Sequence, residues 1–84
     1  MDRCTMSVDA YIMLNVKTGS EDEICQELVK FEEVQEASTV YGQYDAIIKV
    51  SVEDMKHLDG FIMTKLRGIS NILLTATMLI SKQY

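Results

Sequence analysis

Hydrophobic and polar positions alternate along this chain in a way that divides it into four strands and two helices. The run from Ala10 to Val16 is short and almost wholly apolar, which predicts a strand covered on both faces. Thr18 and Gly19 then turn the chain. Ser20 with Glu23 three residues later is a capping-box pattern, and Glu21 and Asp22 suit the positive end of a helix. Ile24, Leu28 and Phe31 recur at helical spacing, with Cys25 beside them, so a helix is expected over 21–31. Val34 to Tyr41 reads as a second strand and Tyr44 to Val50 as a third, joined at Gly42 and Gln43. Ser51 with Asp54 opens a second helix, whose stripe is Met55, Leu58, Ile62, Leu66 and Ile69. Gly60 inside it is expected to permit a close contact, and Gly68 to take the left-handed position past its end. Asn71 to Lys82, rich in β-branched residues, is the last strand.

The order β-α-β-β-α-β predicts an α+β fold of the ferredoxin-like kind: a four-stranded antiparallel sheet with both helices on one face. Strict alternation sorts each strand into two sides. Ile12, Leu14, Val16, Ala46, Ile48 and Val50, with Ile72, Leu74, Ala76, Met78 and Ile80, would seat the helices. The opposite side would carry Tyr11, Met13, Asn15, Thr39, Tyr41 and Ile47, with Leu73, Thr75, Thr77 and Leu79. That second side is too apolar for water and too polar for a core, the mark of an interface or a binding site, although an ordinary half-exposed sheet face also carries scattered apolar residues. Two chains packed sheet to sheet, a dimeric α/β-barrel, would cover it, with Tyr11, Met13, Asn15, Tyr41 and Leu73 at the contact.

The chain of 84 residues allows one domain, preceded by an N-terminal arm over 1–8. Hydrophobic residues make up 48% of it, enough to argue against disorder. The net charge is −5, and an acidic chain without a basic run is a poor direct binder of nucleic acid. The opening residues lack the apolar core of a signal peptide, and Ile72 to Ile80 is too short for a helical membrane span. No membrane partner is expected. Cys4 and Cys25 match no zinc or redox spacing, and small secreted scaffolds are denser in cysteine, so a reducing cytoplasm is the expected location.

Little in the chain points to catalysis. His57, the one histidine, falls beside Lys56 away from the apolar stripe and reads as a surface residue. Cys25 reads as core, and Cys4 as an inert residue of the arm. No nucleophile-base set, phosphate loop, metal-ligand spacing or resident cofactor motif stands out. What remains is the hairpin Val40 to Asp45. Gly42 can supply positive φ and the turn exposes backbone N–H groups, which hold a carboxylate. Asp45 follows at once and can accept from an ammonium group. An α-amino acid offers both, although Gly and Asp also favour turns with no ligand at all.

At this hairpin the chain resembles the regulatory, ligand-binding (RAM) domain of the Lrp/AsnC family of transcription regulators. The resemblance rests on Ala10 to Val16, Val40 to Asp45, Phe61 to Leu66 and Gly68 to Thr77, and it runs from about Asp9 to Lys82. It implies dimers formed through the sheets that assemble further into an octamer or decamer. It also implies a small effector, commonly an amino acid, bound between subunits. Carried over residue by residue, it points to Gly42, Gln43, Tyr44 and Asp45 on the hairpin and to Thr75 and Thr77 on the last strand. Backbone donors would come from the hairpin, a carboxylate from Asp45, and hydroxyls from the threonines.

Most such regulators carry a helix-turn-helix domain ahead of this one. Only about nine residues precede the first strand here, so a stand-alone regulatory domain is expected, acting through a full-length regulator of the family rather than on DNA. Three other readings share the architecture, because fold alone does not fix function. A small dimeric α/β-barrel enzyme of the monooxygenase kind would need convergent acid, base or aromatic groups, and the sheet side offers only Tyr11 and Asn15. An ACT-type amino-acid binder would use Gly19, between the first strand and first helix. A ligand-free assembly module is the third.

Overall fold

A computed structural model describes residues 7–84. The expectation for Cys4, and for all of the arm before Ser7, lies outside the described residues. The elements are β1 (Val8–Val16), α1 (Glu21–Leu28), β2 (Val34–Thr39), β3 (Ala46–Val52), α2 (Met55–Gly60) and β4 (Ile72–Leu79), with a π-helical segment, Phe61–Leu66, continuing α2. Strands lie in the order β2-β3-β1-β4 and all three pairings are antiparallel. Ala10, Ile12, Leu14 and Val16 of β1 are buried, as are Ala46, Ile48 and Val50 of β3. They form one core with Ile24 and Leu28 of α1, Leu58 of α2 and Phe61 and Leu66 of the π-helical segment. A single core shared by both helical regions and one side of the sheet puts both helices on that side. The ferredoxin-like βαββαβ architecture is therefore as expected.

Local details depart from the sequence reading. Ser20 has backbone angles of φ −98° and ψ 0° and its side chain makes no cap hydrogen bond, so the Ser20–Glu23 capping box does not form. The helix α1 ends at Leu28, where the chain tightens: Lys30 N–H donates to Glu27 and Phe31 N–H to Leu28. Phe31 still reaches the core, edge-on to Phe61 at 5.9 Å. Ser51 belongs to β3, its hydroxyl donating to Asp9 at 2.6 Å, and the residue that caps α2 is Asp54. The π-helical turn, with Arg67 N–H donating to Ile62, breaks the 3.6-residue stripe. Phe61 is buried as a result, whereas Ile62 is only partly so and Met55 is exposed.

Two glycine expectations are overturned. A Cβ on Gly60 would meet nothing within 4 Å, so no close contact explains it. Gly68 is not left-handed; a Cβ there would lie 3.0 Å from the Thr64 carbonyl oxygen. The left-handed position belongs to Asn71, at φ 75°, a role asparagine fills by tolerating that region.

The largest correction concerns β4. Directly opposed residues of neighbouring strands share a side of the sheet. Ile12 faces Thr77, Leu14 faces Thr75 and Ala10 faces Leu79, so Thr75, Thr77 and Leu79 lie on the helix side. Leu74, Ala76 and Met78 oppose Asn15, Met13 and Tyr11, on the open side. The register shifts between Asn15 and Val16, where Leu73 is the extra residue, and a shift of one residue reverses every side chain beyond it. Thr39, opposite Ala46, likewise lies on the helix side. Tyr41 lies on neither, because β2 stops at Thr39.

Candidate effector site

The hairpin that joins β2 to β3 is a wide loop over residues 40–45 rather than a two-residue turn. Val40 N–H donates to the Asp45 carbonyl at 3.0 Å, which closes it. Gly42 sits at φ 134°, a conformation open to glycine alone at little cost. Among the described residues, the amides of Tyr41, Gly42, Gln43 and Tyr44 have no protein acceptor. Asp45 anchors the loop to β1: its amide donates to Leu14 at 2.9 Å, and its Oδ2 accepts from Val16 N–H at 2.9 Å.

Opposite this loop stands the β1–α1 connection, with Gly19 at φ 89°. Between the two lies a cleft of about 540 Å³, walled by Gly19, Glu21 and Asp22 on one side and by Thr39 to Gly42, Tyr44 and Asp45 on the other. No lysine or arginine lines it. Gly42, Tyr44 and Asp45 are thus brought together; Gln43 is exposed outside the lining. The sequence pattern marks Glu21 and Asp22 only as helix-end charges. The signal for them is topological, because β1 ends and β2 ends at the same edge of a βαββαβ sheet, so the loops after them are neighbours.

Thr75 and Thr77 do not join this cleft. The strand β1 stands between β4 and β3, which places these threonines roughly 10 Å across the sheet from the Ala46 and Ile48 rows. Both are exposed. Thr75 instead lines a groove of about 410 Å³ between the end of the π-helical segment and the start of β4, with Ile62, Leu66, Arg67 and Leu73.

On the open side, Tyr11, Met13 and Asn15 are half-buried and sit beside Ile47 and Lys49 of β3 and Leu74, Ala76 and Met78 of β4. Lys49 Nζ lies 5.9 Å from the Tyr11 ring. Leu74 and Met78 are 63% and 56% exposed, an apolar band on an edge strand. Leu73 is exposed at the bulge, and Tyr41 stands out at the tip of the loop.

His57 is exposed, as expected, but it has partners. Its Nδ1 lies 2.7 Å from Asp54 Oδ1, which also accepts from His57 N–H, and its Nε2 lies 3.9 Å from Glu53. This trio closes the start of α2. Cys25 packs against the core; burial first, then the charges of Asp22 and Glu21, push its thiol pKa up and keep it protonated. Among the described residues, no helix is long and apolar enough to cross a membrane.

Comparison with known proteins matches the chain to one family. The model of the Lrp/AsnC ligand binding domain matches residues 9–84. The HTH-type transcriptional regulator FL11 of Pyrococcus abyssi is 31% identical over 80 residues, covering 93% of this chain and 51% of its own. The chain therefore spans about half the length of the curated relatives it matches. The solved structure of the hypothetical protein PHS023 from Pyrococcus horikoshii is 39% identical with a TM-score of 0.85, covering 92% of this chain and 93% of that one. The transcriptional regulator NMB0573 of Neisseria meningitidis, solved as its complex with L-methionine, shares the fold at 15% identity and a TM-score of 0.83, over 90% and 51% of the two chains. The curated relatives are HTH-type transcriptional regulators, and this chain belongs to the Lrp/AsnC ligand-binding-domain family.

Proposed function

We propose that the chain is an effector-binding regulatory domain: it pairs through the open sheet side and takes up an amino acid at the 40–45 loop. The observation that carries this is the row of four unpaired amides, Tyr41 to Tyr44, ending at the Asp45 carboxylate. Successive main-chain N–H groups in a turning loop bind anions, here the effector's carboxylate. One Asp45 oxygen takes Val16 N–H, and the other accepts from the effector's ammonium group. The bound L-methionine of the Neisseria regulator supports this class of ligand.

The signal passes through assembly with copies of itself or with a full-length regulator of the family, and the domain makes no DNA contact of its own. The acidic balance of the chain supports that reading. Cytoplasmic location follows from the same role.

A thermal-shift screen against the common amino acids, with light scattering on any hit, tests it. An effector at 100 times its dissociation constant adds about 2.7 kcal/mol per site. In a domain of this size the midpoint rises by roughly 10 °C or more. A flat screen on folded protein overturns the amino-acid reading.

A further inference from the structure

Neither packing nor backbone conformation accounts for Gly60. Its angles are helical, a Cβ would meet nothing within 4 Å, and glycine inside a helical stretch is less favourable than alanine. What Gly60 does have is a place in a groove of about 470 Å³. The pairs Lys56 and His57, Gly60 and Phe61, and Thr64 and Lys65 recur every four residues, so they line one side of the helical stretch. Glu33, just ahead of β2, faces them. Phe61 is buried and closes the floor, edge-on to Phe31. The π-helical segment begins at that floor, and π turns inside helices are frequent at functional sites.

The charged groups around the groove are unequally engaged. Lys65 is taken up by Glu33, with Nζ 2.7 and 3.0 Å from the two carboxylate oxygens. The Nδ1 of His57 is tied to Asp54, while its Nε2 meets only Glu53 among the described residues, at 3.9 Å and beyond hydrogen-bond reach. The bond to Asp54 raises the pKa of the ring, which favours the form in which Nε2 also carries a proton. Among the described residues Lys56 makes no ion pair. An ammonium group and a ring N–H are thus left over beside a floor of aromatic ring and bare glycine backbone. Pockets of this size, mostly apolar with a few convergent polar groups, take small molecules. The complement here is an apolar body carrying one carboxylate.

We propose that the groove binds a small apolar carboxylic acid in its anionic form, with the carboxylate on Lys56 and His57 and the hydrocarbon body over Gly60 and Phe61. The absent Cβ of Gly60 is the space that body fills. The groove lies ahead of β2 and the 40–45 loop follows it, so the six residues of that strand hold the two roughly 20 Å apart. The site is therefore separate from the one in the proposed function and does not rest on that reading.

Two-dimensional NMR of the purified chain, with phenylacetate as the probe, tests it. Amide shifts are expected at Glu33 and over 56–65, saturating with a dissociation constant of about 1 mM or below, within reach of a ligand this small. Neutral phenylacetamide is the charge control and is expected to bind at least about tenfold more weakly, as is phenylacetate to Lys56→Gln. Gly60→Leu, which fills the space, is expected to abolish the shifts; Lys56→Gln, at an exposed position, keeps the test open if that chain folds poorly. No shift at these residues up to about 10 mM phenylacetate overturns the proposal. Equal binding of the amide overturns it, as does wild-type affinity in both variants. Shifts centred on the 40–45 loop overturn it too, by placing the probe elsewhere. An amino-acid screen that fails while phenylacetate binds at the groove strikes the proposed function and leaves this site standing.

Discussion

Val16 N–H, at the end of β1, donates to Oδ2 of Asp45 at 2.9 Å, while the Asp45 amide donates to Leu14 two residues earlier on the same strand. Asp45 therefore clamps the candidate effector loop to the central strand with both its main chain and its side chain. Hydrogen bonds to charged acceptors contribute about 1.5–3 kcal/mol. Asp45→Ala is expected to destabilise the fold by about 1–2 kcal/mol in denaturant titrations, because the site is only part-buried. Asp45→Asn keeps an acceptor for Val16 and is expected to stay near wild-type stability. It removes the charge that faces the effector's ammonium group, so calorimetry is expected to show effector affinity falling. Wild-type affinity in Asp45→Asn would leave Asp45 a clamp and nothing more.

Gly60 and Gly68 stand eight residues apart and are expected to respond to alanine in opposite directions. Gly60 has helical angles, φ −61° and ψ −43°, and open space where a Cβ would go. Gly60→Ala reduces the freedom of the unfolded chain at no steric cost and is expected to stabilise by about 0.4–1 kcal/mol. Gly68→Ala brings a Cβ to 3.0 Å from the Thr64 carbonyl oxygen and 3.5 Å from that of Lys65, at the exit of the π-helical segment. Main chain cannot give way as a side-chain end does, so this substitution is expected to lower the melting midpoint. A lower midpoint for Gly60→Ala, or a higher one for Gly68→Ala, contradicts the geometry.

His57 and Asp54 make the start of α2 sensitive to pH. The hydrogen bond from the His57 ring to Asp54, and then the charge of Asp54, raise the His57 pKa above the usual 6.5. The same ring bond, then the bond from His57 N–H, lowers the Asp54 pKa below the usual 3.8. The His57 contribution is complete below pH 6.5 and is lost as pH rises through the raised value. The Asp54 contribution is present above pH 3.8 and is lost as pH falls through the lowered one. The cap is therefore whole between these limits. Proton NMR titration of the single histidine is expected to give a midpoint above 6.5, and Asp54→Asn to bring it down toward the ordinary value. An unchanged midpoint in that variant removes Asp54 as the cause.

The contrast between β1 and β4 shows what the amino-acid pattern could and could not specify. In β1 the alternation of Ala10, Ile12, Leu14 and Val16 against Asp9, Tyr11, Met13 and Asn15 matches the buried and open sides residue for residue. In β4 every residue from Ile72 to Leu74 is apolar, so a one-residue bulge leaves no trace in the pattern. Alternation counted from Ile72 then lands on the wrong side from Leu74 onward. The 3.6-residue stripe of the second helix failed for a related reason: a π-helical turn adds a residue that periodicity cannot anticipate, and Phe61 rather than Ile62 became the buried one. For the candidate site, Gly42 and Asp45 were legible because their chemistry is local. Glu21 and Asp22 were not, and Gly19 stood out only as the glycine of an ACT-type binder, because their place beside the loop depends on how β1 and β2 end in space.

The corrected side of β4 sharpens the dimer test. With Leu74, Ala76 and Met78 on the open side, the row through Met13 runs Ser38, Ile47, Met13, Ala76 across all four strands. Met13 lies near the middle of that band, where a partner sheet would exclude water. A lysine there brings a charge into the centre of a sheet-to-sheet contact without touching the core, since Met13 is half-buried and faces away from the helices. Met13→Lys is expected to leave far-UV circular dichroism intact and to shift the chain from dimer to monomer at micromolar concentration, read by light scattering. Thr77→Lys, on the helix side of β4, is the control and is expected to keep the sheet-paired dimer. Strict alternation along β4 from Ile72 predicts the reverse for Thr77, so this pair of variants decides which side of β4 meets a second chain. A Met13→Lys chain that remains a stable dimer would move the pairing surface away from the open sheet altogether.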